Sequence, residues 1–388
     1  MPLFVRTREI HSMGQVTVAA VADVSTGHAS PQDAFASVLE PLRSADLRFA
    51  QVERLYSERG CPQLQAGQAA LFNRQRPRLA SAFKSVPFDV LSIASNMTGY
   101  WGSEAVEDTA ETFRLLGIAT VGAGRDIAAA RKPAIFTRNG LRIAFLGYVS
   151  TTLPQFWATE TRAGSAPMRA HTFYESYEYQ PGAPARVVTI PHAADLAQLV
   201  SDVKLAKQNA DLVFVSLHWG VHFVPRPCDY QPVVAHAAID AGASVILGHH
   251  PHQPQGIEIY KKSVIFYSIG NFSFAPRDKK RGPALAAPQE EYTFEHIYSI
   301  EPDPGFFFDC HRHFNEGGIV FIEADQTGIK HVTYLPTLMN EAGQPEVVHP
   351  NQLQFEKSLT YLNWAGKFIA GGMTQMKAMG DRYEIFRG

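Results

Sequence analysis

The chain has 388 residues, 45% of them hydrophobic and 19% charged, with 35 Lys+Arg against 37 Asp+Glu and a formal net charge of −2. That is enough apolar material for a large core, and the balanced charge gives no global pull toward nucleic acid or a membrane surface. Cys61, Cys228 and Cys310 are odd in number and widely spaced, which argues against a disulfide framework and fits a reducing compartment. The N-terminal MPLFVRTREIHSMGQ lacks an apolar signal region, and no run approaches the ~18 apolar residues of a spanning helix. The expectation is a cytoplasmic protein of one domain over residues 1–388.

In chain order, VTVAAVAD (16–23) reads as a strand that stops at Asp23, before a Ser-Thr-Gly turn. Ser30-Pro31 starts a helix to about residue 45. ADLRFAQVERLYS (45–57) is a second strand, running into Glu53. FDVLSIASNMTGYWG (88–102) repeats the design, with Ser95-Asn96 at the strand end. A helix follows over 104–117, capped by Ser103, and then strands at 118–124 and 141–150. Residues 151–191 show no sustained period and read as an irregular insertion of the kind that forms lids or binding loops. After a helix over 192–210 comes DLVFVSLHWG (211–220), a buried-strand pattern ending in His218. A helix at 230–241 leads to ASVILGHHPHQPQ (243–255), a second apolar strand that meets His249, His250 and His252, and then to VIFYSIGNFSF (264–274). A second irregular piece spans 275–316. Its His311-Arg312-His313 pair reads as part of a substrate-facing lid or a homo-oligomer contact rather than a metal site. Residues 317–324 and 329–335 pair across a turn and complete the second sheet. A helix near 352–368 and a polar tail make a helical C-terminal segment from about residue 350.

Strands that end in histidine place imidazoles at a sheet edge, where open α/β sheets bind ligands. Neutral imidazole is the commonest protein metal ligand. In an extended segment His250 and His252 would lie on one side and could address one ion. HWG, GHHPH and YSIGNF, in this order and spacing, resemble the CapA family of capsule-associated, poly-gamma-glutamate-related bacterial proteins, within the calcineurin-like metallophosphoesterase superfamily.

The resemblance implies an α/β fold, a four-layer αββα sandwich with loop insertions, and two divalent metals (Mn, Zn or Fe) at loop ends. It implies Asp23 as a ligand, although Ala22 replaces the family glycine, and Glu53 as the bridging carboxylate. It also implies Asn96, His218, His250 and His252 as ligands. The family places a catalytic histidine after the asparagine, where this chain has Met97, and an aspartate where it has Tyr100. Methionine cannot protonate a leaving group, so His222, standing where the family has glutamate, becomes the candidate acid or base, with His218 and Arg54 beside it as catalytic candidates. His28 does not match the superfamily's Asp-X-His spacing and is kept only as a supporting candidate. Arg54, Arg59 and Arg226 are candidate cations for a small anionic substrate. Tyr100 and Trp101, with Tyr56, Trp157 and Trp219, are candidate apolar lining, or simply core. No nucleic acid and no membrane are expected as partners. The expected activity is metal-dependent hydrolysis of an amide, ester or phosphoester. The alternatives are Lewis-acid proton abstraction next to a carbonyl, or non-catalytic capsule or polyglutamate assembly.

Overall fold

The computed structural model describes residues 14–176, 178–183, 185–275, 313–369 and 374–388. The first sheet is built from β1 (Gln15–Ser25), β2 (Leu47–Val52), β3 (Val90–Ser92) and β4 (Ala119–Val121). The second is built from β5 (Ala134–Arg138), β6 (Leu141–Val149), β7 (Leu212–His218), β8 (Val245–His249), β9 (Ile257–Tyr260) and β10 (Ser263–Phe266). β11 (Glu316–Asp325), β12 (Gly328–Met339), β13 (Lys377–Met379) and β14 (Arg382–Arg387) return to the first sheet. Its order is β13-β14-β12-β11-β1-β2-β3-β4, with Ser273–Phe274 on β1 and Pro345–Val347 on β12 making ten strands. The second sheet has six strands in the order β9-β10-β8-β7-β6-β5.

β1 through β4 run parallel, as do β6, β7, β8 and β10. Parallel strands covered on both faces need apolar residues at every position, which is why LVFVSLH and VILGH read as near-continuous hydrophobic runs. Alternate β1 residues face opposite layers. Val16, Val18, Ala20 and Ala22 join Phe49, Phe145, Phe214, Val245 and Phe266 in a core between the two sheets. Ala19 and Val21 instead pack with Ala50, Leu91, Val106 and Phe113 beneath helix α1 (Ser103–Leu115). On the far side, Leu146, Val213 and Val215 pack under α2 (Ala193–Asn209) and α3 (Tyr230–Asp240), through Leu199, Val203, Val234 and Ala238. The result is the four-layer αββα sandwich expected from the resemblance. A Cβ at Gly147 would come 3.0 Å from the Gly122 Cα, so the two sheets close to a backbone contact there.

Three expectations change. Residues 151–191 are not wholly irregular: Ala170–Ser176 pairs antiparallel with Ala185–Pro191. That hairpin is exposed on both faces, so no buried alternation marks it in the sequence. β11 and β12 extend the sheet of β1 rather than completing the second one, with β11 antiparallel to β1. The polar tail is not helical beyond α4 (Leu353–Ala365) and a short 3₁₀ turn; β13 and β14 form a hairpin at the sheet edge, burying Tyr383 and Ile385 in the inter-sheet core. Most of the 275–316 insertion, including the pair's first histidine, lies outside the described residues. Among the described residues no helix is long and apolar enough to cross a membrane.

Candidate metal centre

The ends of parallel strands from both sheets meet over one point. β1 and β2 shift register between Val21 and Val24. That irregularity, with a left-handed backbone at Asp23 (φ 45°), re-aims the Asp23 side chain at the strand end. Glu53 follows β2 directly, its N–H donating to Val24 O at 2.9 Å. Asn96 opens a run of tight turns after β3, and its carbonyl accepts from Thr152 Oγ1 at 2.9 Å. His218 ends β7, and His249 ends β8 beside it in register. His250 (φ 101°) and His252 (φ 57°) are not extended, so the geometry that would point both at one ion is not the one that forms. Among the described residues seven non-glycine residues have positive φ, and Asp23, Phe223, His250 and His252 are four of them. Strain of this kind, of order 1–3 kcal/mol per residue, collects where surrounding structure holds functional groups in place.

Two groups of donor atoms result. In the first, His218 Nε2 lies 3.1 Å from Asn96 Oδ1, 3.0 Å from His250 Nδ1 and 3.8 Å from Glu53 Oε1. In the second, His252 lies 3.8 Å from both Asp23 Oδ2 and Glu53 Oε1, through Nδ1 and Nε2 respectively. His252 Nδ1 also sits 2.8 Å from Asn271 Oδ1. An amide oxygen only accepts, so the His252 proton is on Nδ1 and the Nε2 lone pair faces Glu53. Asn271 is itself held by donating to Phe314 O at 2.7 Å. The His250 N–H donates to Asp23 Oδ2 at 3.0 Å. Asp23, Glu53, Asn96, His218, His250 and His252 thus lie together, with Glu53 near both groups.

The electrostatics are those of a buried cluster of acceptors. Burial, then the neighbouring Glu53 charge, hold the Asp23 carboxyl well above 3.8. Burial, then neighbouring imidazoles, hold His218 and His250 well below 6.5. Two adjacent buried carboxylates repel, and the lone pairs around His218 Nε2 outnumber the single proton it can offer. A divalent metal satisfies all of these acceptors together, so the residues present fit the implied group.

The other sequence candidates fall in several places. His222 stacks on His252 (centroids 5.1 Å apart, 11° between planes) and on His250 (4.1 Å). Its Nε2 is buried with no hydrogen-bond partner, and burial followed by the His252 charge pushes the ring down to about 3. Arg54 is half-buried and its Nε donates to Ser25 Oγ. Tyr100 leans on Phe156 (5.6 Å), and burial, then the Glu53 charge, raises its hydroxyl above 10. Arg59 is exposed and bound to Asp108 on α1, so its guanidinium is committed away from the cluster. Arg226 is exposed on the loop after His222. Trp101 donates to Ala70 O at 2.6 Å and carries Arg74 on its ring, away from the donors. Tyr56 and Trp219 are core residues, and Trp157 stacks under Arg169. His28 Nε2 pairs with Ala342 O at 2.9 Å rather than facing Asp23. Met97 is half-buried and its carbonyl accepts from Asn73. The sequence reading missed Asn271, although it lies inside YSIGNF, and the roles of Phe223, Phe274 and Phe314, whose rings wall His252 at 5.5–6.0 Å.

A four-layer αββα sandwich with carboxylate, carboxamide and imidazole donors gathered at parallel strand ends is the architecture of the metallophosphoesterase-like superfamily. Residues 9–276 match the family model described as bacterial capsule synthesis protein PGA_cap, and the chain belongs to that family, the CapA family. It is 33% identical over 193 residues to the capsule biosynthesis protein CapA of Bacillus anthracis, covering 50% of this chain and 42% of that one. An uncharacterized Sinorhizobium fredii protein is 28% identical over 324 residues, covering 71% and 69%. A probable polyglutamine synthesis accessory protein of Mycobacterium tuberculosis is 30% identical over 202 residues, covering 51% and 48%. The chain spans less than half the length of the Bacillus relatives it matches. Solved structures are more distant. A hypothetical Thermus thermophilus protein has a TM-score of 0.41 at 14% identity, covering 85% of this chain and 95% of that one. Haemophilus influenzae NAD nucleotidase has 0.39 at 11%, covering 92% and 63%.

Proposed function

We propose that the protein is a metal-dependent hydrolase that holds two divalent ions (Mn, Zn or Fe) and cleaves an amide, ester or phosphoester of a small anionic substrate. The observation that carries this reading is the convergence of buried donors around His218 Nε2 and Glu53, from strands of both sheets. Asn96, His218 and His250 would hold one ion, Asp23 and His252 the other, and Glu53 would serve both. Such ions, when bound, supply Lewis acidity toward a carbonyl or phosphoryl oxygen and make water a stronger acid.

The chain's own groups then divide the remaining work. His222 is kept neutral by burial, so its Nε2 can accept a hydrogen bond and is neither a resting acid nor a strong base. Tyr100, still protonated at neutral pH, can donate to a substrate oxygen beside Glu53. Arg54, half-buried just past β2 and bonded to Ser25 at the end of β1, can hold a substrate anion. The aromatic wall of Phe223, Phe274 and Phe314 excludes water from one side of His252. Met97 favours one second reading. With no histidine there to protonate a leaving group, the same metals would suit proton abstraction next to a carbonyl. A non-catalytic role in capsule or polyglutamate assembly, suggested by the names of the relatives, is the third outcome to be tested.

The deciding experiment is elemental analysis of the purified protein beside Glu53→Gln and His252→Ala, followed by turnover of amide, ester and phosphoester panels with the metal found. The hydrolase reading expects close to two equivalents in the parent protein, clearly fewer in both variants, and turnover only in the parent. Metal without hydrolysis, but with solvent-deuterium exchange next to a carbonyl, would transfer the case to proton abstraction. No metal after reconstitution would sink both.

A further inference from the structure

Distance alone groups His249 with Asp23 and His218, one donor atom from each lying within 4.8 Å of the others. The hydrogen bonds separate it from them. His249 Nε2 is 2.7 Å from Ser216 Oγ, and His249 Nδ1 is 2.8 Å from His218 Nδ1. Both of its ring nitrogens are therefore engaged by protein groups, and no lone pair is left to face an ion. All three side chains are buried, at 1% exposure or less. Ser216 and His218 are two apart on β7 and lie on one face, while His249 is the cross-strand neighbour of His218, so the row is fixed by sheet register.

The short Nδ1–Nδ1 contact requires one ring to donate and the other to accept. If His218 is to present a lone pair at Nε2 to an ion held together with Asn96 Oδ1 and His250, its proton is on Nδ1. His249 must then accept at Nδ1 and carry its own proton on Nε2, where Ser216 Oγ accepts it. We infer that His249 is a positioning residue rather than a metal ligand: backed by Ser216, it locks His218 in the tautomer that offers Nε2 to the site. This rests on the proposal that the cluster holds a divalent ion. A ring partner of this kind typically sets affinity within a factor of 10–100.

The assignment is tested on the 388-residue chain reconstituted with Zn²⁺ and labelled with ¹⁵N at histidine. His249 is expected as the Nε2–H tautomer without a metal-bound nitrogen shift, and His218 with its proton on Nδ1. A metal-bound signal at His249, or an Nδ1–H tautomer there, overturns the inference while leaving the metal centre intact. Mn²⁺ affinity gives an independent readout. His249→Phe is expected to weaken binding about 10–100-fold. His249→Asn, whose amide oxygen can stand where Nδ1 accepts, is expected to recover most of that loss, and Ser216→Ala to fall between. Equal weakening in His249→Asn and His249→Phe, with both folded by circular dichroism, overturns the acceptor role. Failure of the parent protein to bind either ion would instead remove the metal reading beneath it.

Discussion

At the scale of single residues, Asp23 shows the conflict between stability and function most directly. Its carboxylate is buried beside Glu53, in a left-handed conformation that asparagine tolerates well. Asp23→Asn is therefore expected to raise the melting temperature of the metal-free protein at neutral pH and to abolish loading of the ion shared with His252. Calorimetry in chelator together with elemental analysis checks both halves; a lower melting temperature would show that the carboxylate is not strained by its surroundings. Asn271 tests the same centre from behind. Asn271→Ala should weaken metal binding about 10–100-fold with little change in secondary structure, because His252 loses the acceptor that fixes its tautomer. The buried imidazoles set a pH dependence whose sign can be worked out. His218, His249 and His250 titrate below 6.5 in the folded chain and near 6.5 when unfolded, so the unfolded state binds more protons as the pH falls. Their contribution is fully present above that value and is lost progressively below it. Asp23, raised above 3.8, acts in the opposite direction. In metal-free Asp23→Asn protein, with the opposing carboxyl gone, the urea midpoint should fall between pH 7.5 and pH 5.5; a flat midpoint would contradict the buried, neutral assignment.

Elements carry the next layer of the argument, and Gly270 shows why a loop can matter as much as a ligand. It has φ 88°, and a Cβ there would come 2.6 Å from Glu316 O and 2.8 Å from Pro254 Cγ. This close turn swings Asn271 under His252. Gly270→Ala should cost about 1–2 kcal/mol from the left-handed backbone alone, more from the collision, and should carry metal affinity down with it. Loss of stability with unchanged affinity would separate the turn from the site. The sequence made the strand ends legible because buried parallel strands are apolar throughout, and a polar residue that ends or interrupts one stands out: His218 and His249 end β7 and β8, and Asp23 interrupts β1 two residues before its end. Glu53 and Asn96 were legible through order and resemblance. What stayed hidden was three-dimensional. Asn271 looked like part of a strand motif, and only the fold puts it against a histidine 19 positions earlier. Arg59 stood close to Glu53 in sequence, but Asp108 on α1 claims it. Tyr383 and Ile385 alternate as a strand should, yet so short an edge hairpin needed β12 as a template before that pattern meant anything.

For the molecule as a whole, the centre is a bridge between its two sheets. Asp23, Glu53 and Asn96 come from the β1–β3 side, and His218, His250 and His252 follow the ends of β7 and β8. Between them lies the inter-sheet core that includes Phe49 stacked on Phe145 at 5.9 Å. A ligand that binds only the folded chain stabilises it by mass action, about 2.7 kcal/mol when present at 100 times its dissociation constant. An ion held by the donors of both sheets would apply that energy across the sheet interface instead of within one layer. Chelation should lower the melting temperature by several degrees and raise amide exchange at the ends of β1, β2, β7 and β8 together, while the exposed 170–191 hairpin stays unchanged. His252→Ala should melt near the chelated parent and respond little to added metal. Loosening confined to one sheet would mean that the donors of the other do not hold the ion, and that Glu53 does not join the two groups.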